Sequence, residues 1–306
     1  MELDHVHPQF RQAVKRFPRL PLHNRLMLRL LNGLMRFAPH PSPGADVTVT
    51  ERRLDNAWVR IYIPDAEHCG AALLWIHGGG LVIGNPKVND RDCGAYAREL
   101  GLVVVSVGYR LAPRHPFPAA IDDCFEAWRW LQGAAGELDI DPARVVVSGQ
   151  SAGGGLAAAL VQRIRDSGGV QPAGQALLSP MLDDRTAARR ELDAIDHRVW
   201  NNRNNRAGWS FYLGQPAGAP EVPPYAVPAR REDLSGLPPT WIGIGDIDLF
   251  HDESRRYAER LRAAGVPCEF ETVPMAPHAF EMAVDAPLTL AYFEANHRFL
   301  SAVLDI

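Results

Sequence analysis

The spacing of apolar residues changes period twice along the chain. Up to about residue 43 they fall at helical intervals: Val14, Phe17 and Leu20, then Leu26, Leu30, Leu34 and Phe37. Pro18, Pro21 and the run from Pro39 to Gly44 cut this amphipathic stretch into pieces. The spacing predicts a helical cover packed on the main domain. Its outward face is not densely basic, which argues against a membrane-surface helix.

The period then drops to two. Val47 to Arg53 and Trp58 to Ile63 alternate and predict an antiparallel pair. Ala71 to Ile76 is a continuous apolar run, as expected of a central strand, Val145 to Val147 reads as a buried strand, and further strands are expected at Leu102 to Val107, Gln175 to Leu178, Thr240 to Gly245 and Cys268 to Val273. Between or after them lie helical patterns at Val88 to Leu100, Ala119 to Leu131, Leu156 to Ile164, His251 to Ala264 and Pro287 to about Val303. Strands alternating with helices imply an α/β fold with a mostly parallel sheet covered on both sides. From Asp183 to Val227 the pattern dissolves into Arg, Asn, Pro and Gly, with Trp200, Trp209, Phe211 and Tyr212 interspersed. So many large aromatics make a mere linker a poor reading. The division expected is residues 1–43 as N-terminal cap helices, 44–182 with 228–306 as the catalytic domain, and 183–227 as an irregular cap insertion.

Composition narrows the function. With 306 residues, 46% hydrophobic and 22% charged, the chain can bury a large core. A net charge of −4 with scattered basic residues gives no sign of a nucleic-acid partner. The longest apolar stretch, Leu26 to Phe37, is broken by Arg29, Asn32, Gly33 and Arg36, so no membrane span is expected. No signal peptide is visible, and Cys69, Cys93, Cys124 and Cys268 match no metal spacing. These features predict a cytoplasmic protein with reduced thiols and no metal.

The chemistry concentrates at Gly149-Gln150-Ser151-Ala152-Gly153. A serine on a sharp turn between strand and helix presents its hydroxyl outward, and the glycines avoid collision with neighbouring backbone. The helix that follows offers free N–H groups to a developing oxyanion. Ser151 needs a base, and of 11 histidines His278 falls just past the last strand. The third group belongs after the preceding strand, where Asp246 and Asp248 both stand. All three are required, because a serine is a poor nucleophile until imidazole takes its proton and a carboxylate fixes the imidazole tautomer. His77-Gly78-Gly79-Gly80 follows a central strand, and such glycines can turn their N–H groups to a substrate. Together with Ala152 they predict an oxyanion hole, with His77 holding the loop by hydrogen bonds. Asp122 and Asp123 open a helix and read as helix-end or surface carboxylates.

These motifs, with Tyr109-Arg110-Leu111-Ala112-Pro113 and His115-Pro116-Phe117-Pro118-Ala119-Ala120, resemble the bacterial hormone-sensitive-lipase-like esterases of the α/β-hydrolase fold. The resemblance runs from about residue 45 to the C-terminus. It implies a carboxylic ester hydrolase acting through an acyl-serine, with a helical cap and no cofactor. It also implies that Asp248, not Asp246, completes the triad with Ser151 and His278, and that Gly79 and Gly80, beside Gly78, are the loop donors. Gln150 stands where the family usually has Asp or Thr. Leu81 replaces an aromatic, Ala279 a glycine, and Leu249 and Phe250 a proline and a leucine.

The expectation is therefore a serine esterase for small esters with short-to-medium acyl groups. Leu81, Trp200, Trp209, Phe211 and Tyr212 are candidates for the substrate pocket, although the four aromatics also fit a small core of the insertion itself. The enzyme rival is an amidase or formamidase on the same triad. The other is a non-catalytic ligand-binding receptor of the same fold, against which the presence of His278 argues. A homodimer is left open.

Overall fold

The apolar runs in the middle of the chain become strands buried on both faces, whereas the strand from Cys268 to Val273 lies at the sheet edge and is largely exposed. The computed structural model describes residues 1–17, 21–35 and 40–306; Pro18, Leu20, Phe37 and Pro39 of the sequence pattern lie outside them. The strands are β1 (Val47–Arg53), β2 (Trp58–Pro64), β3 (Ala72–Ile76), β4 (Val103–Gly108), β5 (Val145–Gln150), β6 (Gly174–Leu178), β7 (Thr240–Gly245) and β8 (Cys268–Val273). They form one sheet in the order β1-β2-β4-β3-β5-β6-β7-β8. The pairs β1–β2 and β2–β4 are antiparallel, and the remaining pairs are parallel.

Successive residues of a strand point to opposite faces, so each central strand feeds two cores. Leu74 and Ile76 join Val105, Val147 and Ile242 on one side; Leu73 and Trp75 join Val104, Val146 and Trp241 on the other. The helices are α1 (Arg11–Arg16), α2 (Arg25–Met35), α3 (Asp90–Leu100), α4 (Ala119–Gly133), α5 (Ala152–Ser167), α6 (Asp184–Ala188), α7 (Asn202–Leu213), α8 (His251–Ala263) and α9 (Pro287–Leu304). The first core is closed by α4, α5 and α8, the second by α3 and α9.

Four departures from the sequence pattern have physical causes. Helix α5 starts at Ala152, not at Leu156, because Gly153 to Gly155 are helical despite their low propensity. They are small because the chain packs against them: a Cβ on Gly155 would stand 2.0 Å from the Met181 carbonyl oxygen. The segment 183–227 is not wholly irregular, since it holds α6 and the 12-residue α7. Its run of asparagines hides α7 from a propensity argument. Asn201 caps it by accepting from the Asn204 amide at 3.0 Å, and burial of Trp209 and Tyr212 holds it in place. Asp123 is not a surface carboxylate. It is fully buried and grips Arg110 through both oxygens and its backbone amide, at 2.7 to 3.0 Å.

The fourth departure is at α2. Its inward contacts are Leu28, which is buried, and Asn32, which donates to the Val82 carbonyl at 2.8 Å. The stripe Leu26, Leu30 and Leu34, expected to pack inward, faces outward at 75%, 58% and 60% exposure.

Candidate active site

Strand β5 ends at Gln150 and α5 begins at Ala152, which leaves Ser151 as a one-residue corner. Its backbone is strained, at φ 56° and ψ −120°, where a non-glycine residue is held only by its surroundings. The Ser151 amide donates to the Leu178 carbonyl on β6 at 2.8 Å. The flanking glycines are required by close approach: a Cβ on Gly149 would meet the Gly153 oxygen at 2.4 Å, and one on Gly153 the Ile76 oxygen at 2.0 Å. The corner therefore needs glycine at both Gly149 and Gly153, and it holds the Ser151 side chain in a largely buried position.

The loops beyond β7 and β8 meet this corner. Ser151 Oγ lies 2.9 Å from His278 Nε2, and His278 Nδ1 lies 2.7 Å from Asp248 Oδ2. Asp248 Oδ1 accepts from the Phe250 amide at 2.9 Å, which fixes the carboxylate plane. A carboxylate can only accept, so it draws the imidazole proton to Nδ1 and leaves Nε2 free to accept from serine. Burial lowers the His278 pKa, but the charge and hydrogen bond of Asp248 and the charge of Glu281 outweigh it and raise the pKa above the ordinary 6.5. Asp248 is buried and Asp246 is exposed, so the sheet edge separates two carboxylates that spacing alone could not.

The glycine loop follows β3. Gly79 (φ 114°) and Gly80 (φ 60°) occupy the left-handed region. A Cβ on Gly79 would come 2.0 Å from the Ile83 oxygen, and one on Gly80 would enter the Trp200 ring at 2.0 Å. Gly78 packs on the corner, its missing Cβ 3.3 Å from that of Ser151. Among the described residues the amides of Gly79, Gly80 and Ala152 donate to no protein acceptor, so three donors remain unspent. His77 braces the loop: its Nδ1 pairs with the Gly78 carbonyl at 2.7 Å, and its ring stacks on Tyr109. Burial lowers its pKa to about 4, so at neutral pH it is uncharged, with the proton on the Nδ1 that donates.

A cavity of about 410 Å³ opens beside Ser151, lined also by Gly78 to Gly80, Gln150, Trp200 and His278. Of the five residues expected to form the pocket, Trp200 alone lines it. Leu81 is buried in the core, Trp209 and Tyr212 pack edge to face on each other, and Phe211 lies under the Arg25 guanidinium at 5.3 Å. The apolar walls come instead from Phe17, Leu22, Met35, Ile83, Val88 and Val199. Sequence reasoning had placed Phe17 among cover residues and had no signal for Val199, which takes φ 64° beside Trp200. Gln150 also reaches further than its position suggests. It accepts from Asn89 at 3.3 Å and donates to the buried Glu281, so it ties α3 to the histidine loop. His197, from the segment before α7, is close enough to sense the charges of Asp248 and His278, and burial lowers its pKa.

A strained serine in line with an imidazole and a carboxylate, on a mostly parallel sheet, defines a class of hydrolases, and comparison with known proteins gives the family. The family described as the alpha/beta hydrolase fold matches residues 73–282. Carboxylesterase NlhH of Mycobacterium tuberculosis is 35% identical over 84% of this chain and 80% of its own length. Esterase LipI of the same organism is 37% identical over 68% of this chain and 65% of its own length. A solved structure, Bacterial Heroin Esterase, superposes with a TM-score of 0.87 at 34% identity, covering 99% of this chain and 98% of that one. The chain belongs to the α/β-hydrolase family, in its branch of bacterial esterases similar to hormone-sensitive lipase, and is an esterase of that branch.

Proposed function

We propose that this protein hydrolyses small carboxylic esters with short-to-medium acyl groups through an acyl-serine, with Ser151 as nucleophile, His278 as base and acid, and Asp248 as the group that orients the imidazole. The observation that carries this reading is the unbroken line from Asp248 Oδ2 to His278 at 2.7 Å and from His278 Nε2 to Ser151 Oγ at 2.9 Å. His278 takes the serine proton as Oγ attacks the ester carbonyl. The carbonyl oxygen, now carrying the charge, is met by the N–H groups of Gly79, Gly80 and Ala152. The tetrahedral adduct collapses as His278 returns the proton to the leaving alcohol, and water activated by the same imidazole releases the acid.

In this proposal residues 1–43 and 183–227 act together as the cap. The support is that Leu22 and Met35 from the first, and Val199 and Trp200 from the second, wall the cavity. A volume of about 410 Å³ is near the small end of ligand pockets, which favours short acyl chains over triglycerides. The test is a panel of p-nitrophenyl esters from acetate to palmitate, with matched anilides, assayed on purified protein. Rates that fall beyond medium chains support the reading. Faster anilide cleavage would make the protein an amidase, and no turnover of any ester would leave it a binding protein.

A further inference from the structure

The first 43 residues differ in charge from the rest of the molecule. They hold seven Lys or Arg against two Asp or Glu, a net of +5, whereas the whole chain carries −4. The remainder is therefore at −9, and this segment is a net-positive stretch on a net-negative molecule. Lys15, Arg16, Arg25 and Arg29 of that segment are exposed.

The same segment carries the exposed apolar stripe. Residues of a helix turn by about 100° each, so Leu26, Leu30 and Leu34 form a single row, with Arg25 and Arg29 along one side of it. An inward-facing set, Leu28 and Asn32, already anchors the helix, so the outer row is not needed to hold it. Beside Arg25 and Arg29, a groove of about 700 Å³ between α2 and the loop from Tyr109 is also lined by Arg114 and His115, and no acidic residue lines it. Arg25, Arg29 and Arg114 make no ion pair among the described residues. Phe17 and Met35 of the same segment line the cavity at Ser151, so the surface is continuous with the mouth of the site.

A leucine row edged by arginines that have no carboxylate partner among the described residues, with a cationic groove alongside, is complementary to an anionic phospholipid surface: acyl chains take the leucines and phosphates take the guanidiniums. The sequence alone argues against a membrane-surface helix, but it does not show the leucine row to face outward; on that observation we propose that α2 docks this protein on anionic phospholipid membranes, with the cavity mouth at the interface, so that esters partitioned into the lipid reach Ser151 directly. No helix among the described residues is long and apolar enough to span a bilayer, so the association is peripheral.

The docking does not rest on the ester chemistry, so it is measured as binding on the full-length Ser151→Ala variant. Co-sedimentation with vesicles of equal phosphatidylglycerol and phosphatidylcholine should exceed that with pure phosphatidylcholine by about tenfold or more, and should fall at least about fivefold in ~0.5 M salt as the charges are screened. Leu26→Gln, Leu30→Gln and Leu34→Gln combined should remove the binding while turnover of a water-soluble ester, in a protein with intact Ser151, stays within about twofold. Arg29→Glu with Arg114→Glu, both in the cationic groove, should remove only the preference for anionic lipid. Equal pelleting of the parent and the leucine variant would overturn the proposal. So would a parent that binds no vesicle and is a dimer in solution, with the leucine variant monomeric, because the row would then be covered by a second copy of the chain.

Discussion

The exchange of one oxygen for nitrogen at Asp248 tests the hydrogen-bond line most sharply, because the structure fixes how the substituted amide must turn. Asp248 Oδ1 accepts from the Phe250 amide at 2.9 Å, in a buried position where a lost acceptor is costly. In Asp248→Asn the amide oxygen keeps that bond, so the NH₂ group faces His278 Nδ1. Nδ1 then has to accept, the imidazole proton moves to Nε2, and Nε2 donates to Ser151 Oγ where it should accept. The base is blocked, and the imidazolium formed during attack loses its counter-charge. Triads of this kind lose about 10⁴-fold in kcat on such a change, equivalent to about 5.4 kcal/mol of barrier at ~1.36 kcal/mol per decade. Steady-state hydrolysis of p-nitrophenyl butyrate, with circular dichroism to establish folding, measures it; KM should change little. Asp246→Asn is the matched control. Asp246 is exposed and its backbone amide, not its side chain, holds the Val273 carbonyl at 3.0 Å, so its loss should stay below about tenfold. A folded Asp248→Asn within tenfold of the parent, or a larger loss for Asp246→Asn, would refute the reasoning.

Other outcomes follow from the same geometry. Ser151→Ala should lower ester turnover by about 10³-fold or more in a folded protein, and near-normal rates would remove the serine from the mechanism. Because His278 must be neutral to act as base and its pKa is raised, kcat/KM should fall with a single ionisation as pH drops through a value above 6.5; a profile flat to about pH 5 would contradict a histidine base. Gly79→Ala would force a Cβ against the Ile83 oxygen at a φ that side chains avoid, and displacing one oxyanion donor should cost about 10²-fold in kcat, with unchanged kcat as the opposing result. Trp200→Ala should shift the acyl preference, whereas Tyr212→Phe should not; equal effects of the two would argue against Trp200 as a wall of the substrate cavity.

The sheet and the residues that meet at the candidate site were legible because each rests on local constraint. Short β-branched apolar runs that alternate with helical patterns read as buried strands, and the glycines on either side of Ser151 report backbone contacts below 3 Å. The cavity walls were not legible, because they are assembled from residues more than 100 positions apart whose individual patterns are weak. Leu22 and Asn204, which meet through a hydrogen bond at 3.2 Å, illustrate this. Neither carries a signal for the other. Helix α2 failed for a different reason. Its sequence has two apolar faces, and periodicity cannot say which one the neighbouring elements will cover. The choice was made by Leu28 and Asn32, through contacts to a loop some 50 positions away.

Gly80 is held between two parts of the 183–227 segment: the Trp200 ring occupies the place of its missing side chain, and a Cβ on Gly208 would come 2.7 Å from its carbonyl oxygen. The segment that lines the cavity and the loop that would receive the oxyanion thus behave as one mechanical piece. Selectivity and turnover are therefore not independently adjustable on this side of the cavity: trimming Trp200 to admit a bulkier acyl group also removes the support of a donor. Room for larger substrates is better made at Leu22 and Met35, which line the cavity from the N-terminal segment and do not occupy the space beside Gly80.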